Sequence, residues 1–309
     1  MHNFFKFRLF LLCVIFINCN LAIAAKKVIK IGSGAILKGY YPIGLKLCDF
    51  ITESNSDIEC YVLPTQGSVD NLRLLREGKI DFALTQSNIA LDAFEGSGYF
   101  KKEKPMKELR QILTLHDEAF TVIAKDENKI KVFEDINGKK ISSGNSSSAS
   151  GLTYKLLRQF YNFTKEPIEV ELSDEAYANE LCNNNIDAVI LMVGHPNALV
   201  AHIAANCDVD FVHIERNQID KFIENNKSFH ISYLRKEFYH DIADDQATVA
   251  VSAILVATNK VDHNLLKNFM NYFHNNMHKF KQANPVLYDL DNQHFTSNFI
   301  LPNQDIFKH

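Results

Sequence analysis

The chain has 309 residues, of which 46% are hydrophobic and 23% charged, and its formal net charge is −4. That balance is ordinary for a globular protein, and mild acidity without a basic run excludes a nucleic-acid-binding footprint. Past the N-terminus, no segment reaches the roughly 20 apolar residues that a membrane-spanning helix needs.

Residues 1–24 read as an address. Lys6 and Arg8 form a positive n-region, Leu9 to Ile17 is a short apolar run, and Ala22-Ile23-Ala24 carries small residues at the spacing signal peptidase prefers. Neither Cys13 nor Cys19 follows the small residue of a lipoprotein signal. Cleavage near Ala24 is expected, giving a soluble periplasmic product whose net charge moves from −4 to −6 as Lys6 and Arg8 leave. An uncleaved anchor is the alternative. The remainder exceeds the size at which one core stops growing, so two lobes are expected.

From residue 25 the chain alternates short apolar runs with amphipathic stretches, the βαβ rhythm of parallel sheets. Val28 to Ile31 is a strand ending in Gly32-Ser33-Gly34, and a helix follows from about Pro42. Cys60 to Leu63 leads to Gln66-Gly67-Ser68, where Ser68 reads as the N-cap of a helix burying Val69, Leu72 and Leu75, with Gly78 as its stop. Ile80 to Thr85 runs into Gln86-Ser87-Asn88. A second set opens with Phe120 to Ala124. Lys140 to Ser142 leads into Gly144 to Ser148 and a helix bearing Leu152, Leu156 and Leu157. Ile168 to Leu172 precedes a helix capped by Ser173, and Ile186 to Val193 ends in Gly194-His195-Pro196-Asn197. Thr248 to Thr258 is apolar, and a polar helix follows with Leu265, Leu266, Phe269 and Phe273 on one face.

The two sets echo each other. Gly78 to Leu84 and Asn185 to Ile190 both place Ile-Asp at the start of a strand that follows a helix. Pairing Thr248–Thr258 with Phe120–Ala124 makes two crossings between lobes. Lobe one then comprises 25–124 and 248–309, and lobe two comprises 125–247. The four mature cysteines, Cys48, Cys60, Cys182 and Cys207, form no CxxC pair for zinc. In an oxidising compartment Cys48–Cys60 and Cys182–Cys207 can each close a loop within one lobe, and four buried free thiols are the alternative.

The glycine-containing loops fall where strands hand over to helices, the edge at which open α/β sheets bind ligands. Helix N-termini there favour carboxylate or phosphate. Gly34 and Gly67 permit close backbone approach, while Ser33, Ser68, Ser87 and Ser148 offer hydroxyls. Each Gly-Ser pair reads equally as a structural cap, and Tyr40 and Tyr41 as half core and half cleft wall. Glu118 is a candidate to select an amino group if it borders the cleft. No dinucleotide fingerprint, P-loop or GxSxG elbow occurs, and the metal reading of His274 and His278 lacks a third ligand. No cofactor is expected. His195, at a strand end, can bind ligand or act as a general base, but no nucleophile is paired with it.

These residues resemble a known family. Gly32-Ser33-Gly34 with Gly39 to Gly44, Thr65 to Arg73, Gly78 to Ala90, Val193 to Asn197 and Thr248 to Val251 are similar, in order, to the TAXI receptors of tripartite ATP-independent periplasmic (TRAP) transporters. The resemblance implies an α/β type II periplasmic-binding fold that closes on a small carboxylate, such as glutamate, glutamine or a dicarboxylate, without catalysis. It implies an integral-membrane TRAP permease as partner, and a monomeric receptor is expected. The ligand set it implies is Ser33, Gly34, Tyr40, Tyr41, Gly67, Ser68, Gln86, Ser87, Ser148, Gly194, His195 and Asn197. Ser146 to Ser150 departs from the family's Pro-Gly-Ser-Gly-Thr loop, which puts the usual ligand in doubt. The rivals are a periplasmic hydrolase on the same scaffold, and an orphan receptor or surface antigen.

Overall fold

The computed structural model describes residues 26–303 apart from 37–38, 146–147, 162, 292–294 and 296–298. The segment read as a signal, with Ser146 and Ser147, lies outside the described residues. The described strands form one mixed sheet. In chain order the elements are β1 (Lys27–Gly32), α1 (Tyr40–Ser54), β2 (Ile58–Leu63), α2 (Ser68–Arg76), β3 (Phe82–Gln86), α3 (Ser87–Glu95) and β4 (Leu109–Lys125). There follow β5 (Lys140–Ser142), α4 (Ala149–Tyr161), β6 (Ile168–Glu169), α5 (Tyr177–Cys182), β7 (Ala188–Val193), α6 (Ala198–Asn206) and β8 (Val209–Phe211). Then come α7 (Arg216–Asn225), β9 (His230–Leu234), β10 (Gln246–Thr258) and α8 (His263–Lys281).

The sheet order is β2-β1-β3-β10-β4-β7-β5-β6, with β8 on β4 and β9 on β10. It contains one arrangement twice, β2-β1-β3-β10-β4 and β6-β5-β7-β4-β8. In each copy the first three strands run parallel and a long antiparallel strand arrives from elsewhere in the chain. The Ile-Asp echo has a physical meaning here. Asp81 accepts the Lys30 N–H at 2.8 Å and Asp187 accepts the Lys140 N–H at 2.8 Å, so each aspartate clamps the first strand of its own half. Three residues earlier, Gly78 (φ 67°) and Asn184 (φ 58°) both turn the chain through the left-handed region that ends a helix.

Alternation along the strands builds four cores. Phe82 and Leu84 of β3 face α1 and α8, while Ala83 faces α2 and α3. Ala188, Ile190 and Met192 of β7 face α4 and α7, while Val189 and Leu191 face α5 and α6. The long strands serve both halves. β10 carries Val249 and Val251 into a second-half core, then Ala253, Leu255 and Ala257 into a first-half core. β4 puts Leu113 and Leu115 in the first-half core and Phe120, Val122 and Ala124 in the second-half core.

Several local expectations are corrected. The Phe120–Ala124 strand is the end of a 17-residue strand and pairs with β7, while the expected partner β10 pairs instead with the earlier Leu109–Ala119 stretch. Ser68 does not cap α2; it is the first helical residue, and its hydroxyl accepts the Gln86 N–H at 3.0 Å. Ser173 makes no capping hydrogen bond, and a 3₁₀ turn (Asp174–Ala176) precedes α5. The buried face of α4 carries Tyr154 and Leu157, which leaves Leu156 40% exposed, because position 156 lies about 100° round the helix from 157. His274 and His278 do not share a regular turn, since Asn276 (φ −122°) kinks α8 between them.

Cys48 is joined to Cys60 and Cys182 to Cys207, with Cα–Cα distances of 5.1 and 5.6 Å. The first ties α1 to β2, and the second ties the end of α5 to the residue after α6. In the chain-entropy picture loops of this size stabilise by about 3 kcal/mol each. Cys48→Ser/Cys60→Ser and Cys182→Ser/Cys207→Ser are each expected to lower the unfolding free energy by about 2–3 kcal/mol in denaturant titrations. A reductant that leaves the wild-type transition unmoved would contradict this.

Candidate functional site

β4 and β10 change cores at the same level. Between Leu115 and Ala119 the chain presents His116, Asp117 and Glu118, which stand opposite Ala253, Ser252 and Val251. At this switch side chains leave one apolar core before entering the next, which is where polar groups are tolerated. Glu118 is buried there, with about a tenth of its side chain accessible. Gln86, at the end of β3, donates from Nε2 to Glu118 Oε2. The other carboxylate oxygen faces His116 Nε2 at 4.0 Å, beyond hydrogen-bond reach. Burial raises the Glu118 pKa, and the hydrogen bond from Gln86 partly offsets this. Tyr40, on the first turn of α1, is held well above its ordinary pKa by burial and then by the Glu118 charge. Its hydroxyl lies beside Glu118 and Ser68, and after Gln86 it too lowers the Glu118 pKa.

The structure therefore brings Tyr40, Ser68 and Gln86 together around Glu118. Gly67 stands nearby at φ 103°, a conformation that only glycine holds easily, with open space where a Cβ would be. Tyr41 is half-buried on the same turn as Tyr40. Ser87 is committed to β10, since its Oγ accepts the Ser252 N–H at 3.1 Å. Ser33 is turned inward: its hydroxyl donates to Leu63 O at 2.9 Å, and Gly34 packs against Tyr40.

The residue that organises this edge was missed in the sequence. Asn71 is fully buried and donates to Ser33 O (2.5 Å) and Leu84 O (2.7 Å), while accepting from Thr65 Oγ1 (2.6 Å). It ties together the ends of all three parallel strands of the first half. The available signal was its position four residues before Leu75, which puts an amide on the apolar face of α2.

In the second half, the predicted residues are satisfied within the protein. Ser148 accepts the Gly151 N–H at 3.1 Å and donates to Ser143 O, which makes it a cap for α4. Asn197 caps α6 by accepting from Leu199 and Val200 N–H. Gly194 sits against the His116 ring and Val286. His195, after which the peptide bond to Pro196 is cis, has both nitrogens engaged: Nε2 with Thr121 Oγ1 at 2.8 Å and Nδ1 with Tyr239 Oη at 2.7 Å. Thr121 donates its own proton to Ala119 O, and Tyr239 Oη accepts the Asn197 N–H. One assignment satisfies all of them: a neutral ring donating from Nε2 and accepting at Nδ1. Enclosure pushes the His195 pKa down to about 3.

Two surface cavities, of about 410 and 250 Å³, lie away from Glu118. Among the described residues no three His, Cys, Asp or Glu side chains are grouped to hold a metal, and no helix is long and apolar enough to cross a membrane.

His195 titrates near pH 6.5 in the unfolded chain and near 3 in the fold, so protons favour unfolding between those values. Folding stability is expected to fall as pH drops below about 6.5, by at most about 1.4 kcal/mol per pH unit from this side chain. Glu118 acts in the opposite sense, because its raised pKa costs stability as pH rises. The His195 share is isolated by comparing wild type with His195→Gln in denaturant titrations at pH 7 and pH 5. A wild-type loss no larger than that of the variant would refute the buried neutral ring.

Solved structures share the fold. A Xanthomonas citri protein bound to ATP superposes with a TM-score of 0.54 at 13% identity, covering 86% of this chain and 92% of its own. The probable amino-acid ABC transporter extracellular-binding protein of Bacillus subtilis gives 0.52 at 12% identity, over 84% and 96%. The periplasmic aliphatic sulphonate binding protein of Escherichia coli gives 0.50 at 13% identity, over 84% and 77%. These likenesses, with the twice-repeated strand order, establish the α/β type II periplasmic-binding fold. Residues 31–303, nearly all of the described chain, match the NMT1-like family, and the chain belongs to it.

Proposed function

We propose that this chain is an extracytoplasmic solute-binding protein that closes two lobes on a small metabolite and delivers it to a TRAP permease. The observation that carries the reading is the cluster at the strand switch, where Tyr40, Ser68 and Gln86 gather around the buried carboxyl of Glu118. A buried acid flanked by the Gln86 amide and the Tyr40 hydroxyl, with His116 at 4.0 Å, is a costly arrangement that a bound ligand relieves. The lobes of this reading are 25–124 with 248–309, and 125–247. The hinge is where β4 and β10 change cores. Two disulfides fit an oxidising, periplasmic location.

The site draws on Gly34, Tyr40, Tyr41, Gly67, Ser68 and Gln86, with Glu118 added. Among carboxylates, Glu118 favours an amino acid over a dicarboxylate, because an ammonium group neutralises its charge and a second carboxylate repels it. The TRAP permease rests on the TAXI-like motifs. The engaged ring of His195 weighs against a hydrolase, since a base whose two nitrogens are occupied has none to offer a nucleophile.

The test is a thermal-shift screen of residues 25–309 against amino acids, dicarboxylates and phosphorylated metabolites. A hit at a hundredfold excess over its Kd stabilises the fold by about 2.7 kcal/mol. L-Glutamate or L-glutamine is expected to raise the melting temperature more than 2-oxoglutarate does. Glu118→Gln is expected to weaken amino-acid binding tenfold or more while sparing the keto acid, the loss of one charged contact being worth about 1.5–3 kcal/mol. A screen flat in every class would overturn the receptor reading. Equal binding of the amino and keto acids would overturn only the role of Glu118.

A further inference from the structure

The motif Gly194-His195-Pro196-Asn197 does not spend its polar atoms on the Glu118 cluster, and the C-terminal segment explains what it does. Leu287 and Leu290 after α8 are buried in the first-half core with α1 and α8. Asn284 fixes the start of this segment by accepting the Val286 N–H at 3.1 Å, and Pro285–Leu287 forms a 3₁₀ turn. From this root the segment reaches the other half. Val286 Cγ2 lies 2.3 Å from where a Gly194 Cβ would be, with the His116 ring at 2.7 Å. Arg235 Nη2 meets Asp289 Oδ2 at 2.7 Å. Between these contacts lies the groove of about 250 Å³, lined by Pro196 and Phe238 on one side and Lys281, Gln282, Pro285 and Tyr288 on the other. Phe238 packs against a second-half core.

We propose that Pro285–Asp289 is a latch between the two halves, with Gly194 and Pro196 as its socket and Arg235–Asp289 as its clasp; this rests on the reading of two lobes that close. Gly194 is there because the latch and the His116 ring occupy the place of a side chain. Its φ is not in the left-handed region, so the requirement is space and not backbone strain. The clasp is built to release. Both of its side chains are partly exposed, so the pair is weak and salt-screened. His195, locked by Thr121 and Tyr239, holds Pro196 at the rim.

The experiment is small-angle scattering of residues 25–309 without ligand. Arg235→Glu and Asp289→Arg are each expected to lower the closed-to-open ratio about two- to fivefold and so raise the radius of gyration, as is 1 M salt on the wild type. The charge-swapped double variant restores the wild-type value. Val286→Ala, which shortens the latch without crowding the His116 ring, is likewise expected to raise the radius, which keeps the test intact if one charge variant misfolds. An unchanged radius in the single variants, or a double variant that fails to restore it, overturns the latch. This readout needs no ligand, so a flat thermal-shift screen with a working latch, or a hit with an idle one, separates the two readings.

Discussion

The structure depends on one pairing, the antiparallel ladder between β4 and β10. A strand buried on both faces must give every backbone N–H and C=O a neighbour. These two strands do so for each other over most of their length; β3 and β9 take the other edge of β10, β7 takes the other edge of β4, and β8 continues the edge of β4 that β10 leaves. Each is therefore a central strand of both halves. The ladder shifts register between Ala253 and Ile254 and between Leu255 and Val256, close to where the cores change hands.

The chemistry follows from that geometry. Apolar side chains are required wherever the strands face a core, so a polar run is affordable only between cores. His116-Asp117-Glu118 occupies that interval, and Asp117 is held by His230 at 2.8 Å on the side facing β9. The carboxyl at this level is desolvated by groups of the first half, with Gln86 and Tyr40 beside it and His116 at 4.0 Å.

Around this centre most of the loop residues with the look of ligand contacts serve structure. Ser33 fastens β1 to β2, Ser148 and Asn197 begin helices, and His195 is fixed in a closed chain of hydrogen bonds. Short hydroxyl and amide side chains at strand-to-helix turns satisfy backbone groups first, because the free N–H groups there are close and costly to leave unpaired. Such interactions leave the edge of the sheet stiff, so Ser68 and Gln86 beside Glu118 stand in fixed positions.

The sequence alone determined the α/β class, the βαβ rhythm and the internal echo, because burial imposes a period of two on strands and 3.6 on helices that survives in the order of residues. The Ile-Asp repeat was visible for the same reason: each copy answers the same local demand, a turn followed by a clamp on a neighbouring strand. The short strand β8 was illegible because three residues are too few to show a period, and the first half of β4 was also not read. Only the tertiary structure decided that Asn71 joins three strand ends, that Glu118 sits where two cores meet, and that Gly194 faces Val286. Those partners lie from 6 to 92 residues away in the chain, and no local pattern records which group will fill a residue's hydrogen bonds or its space.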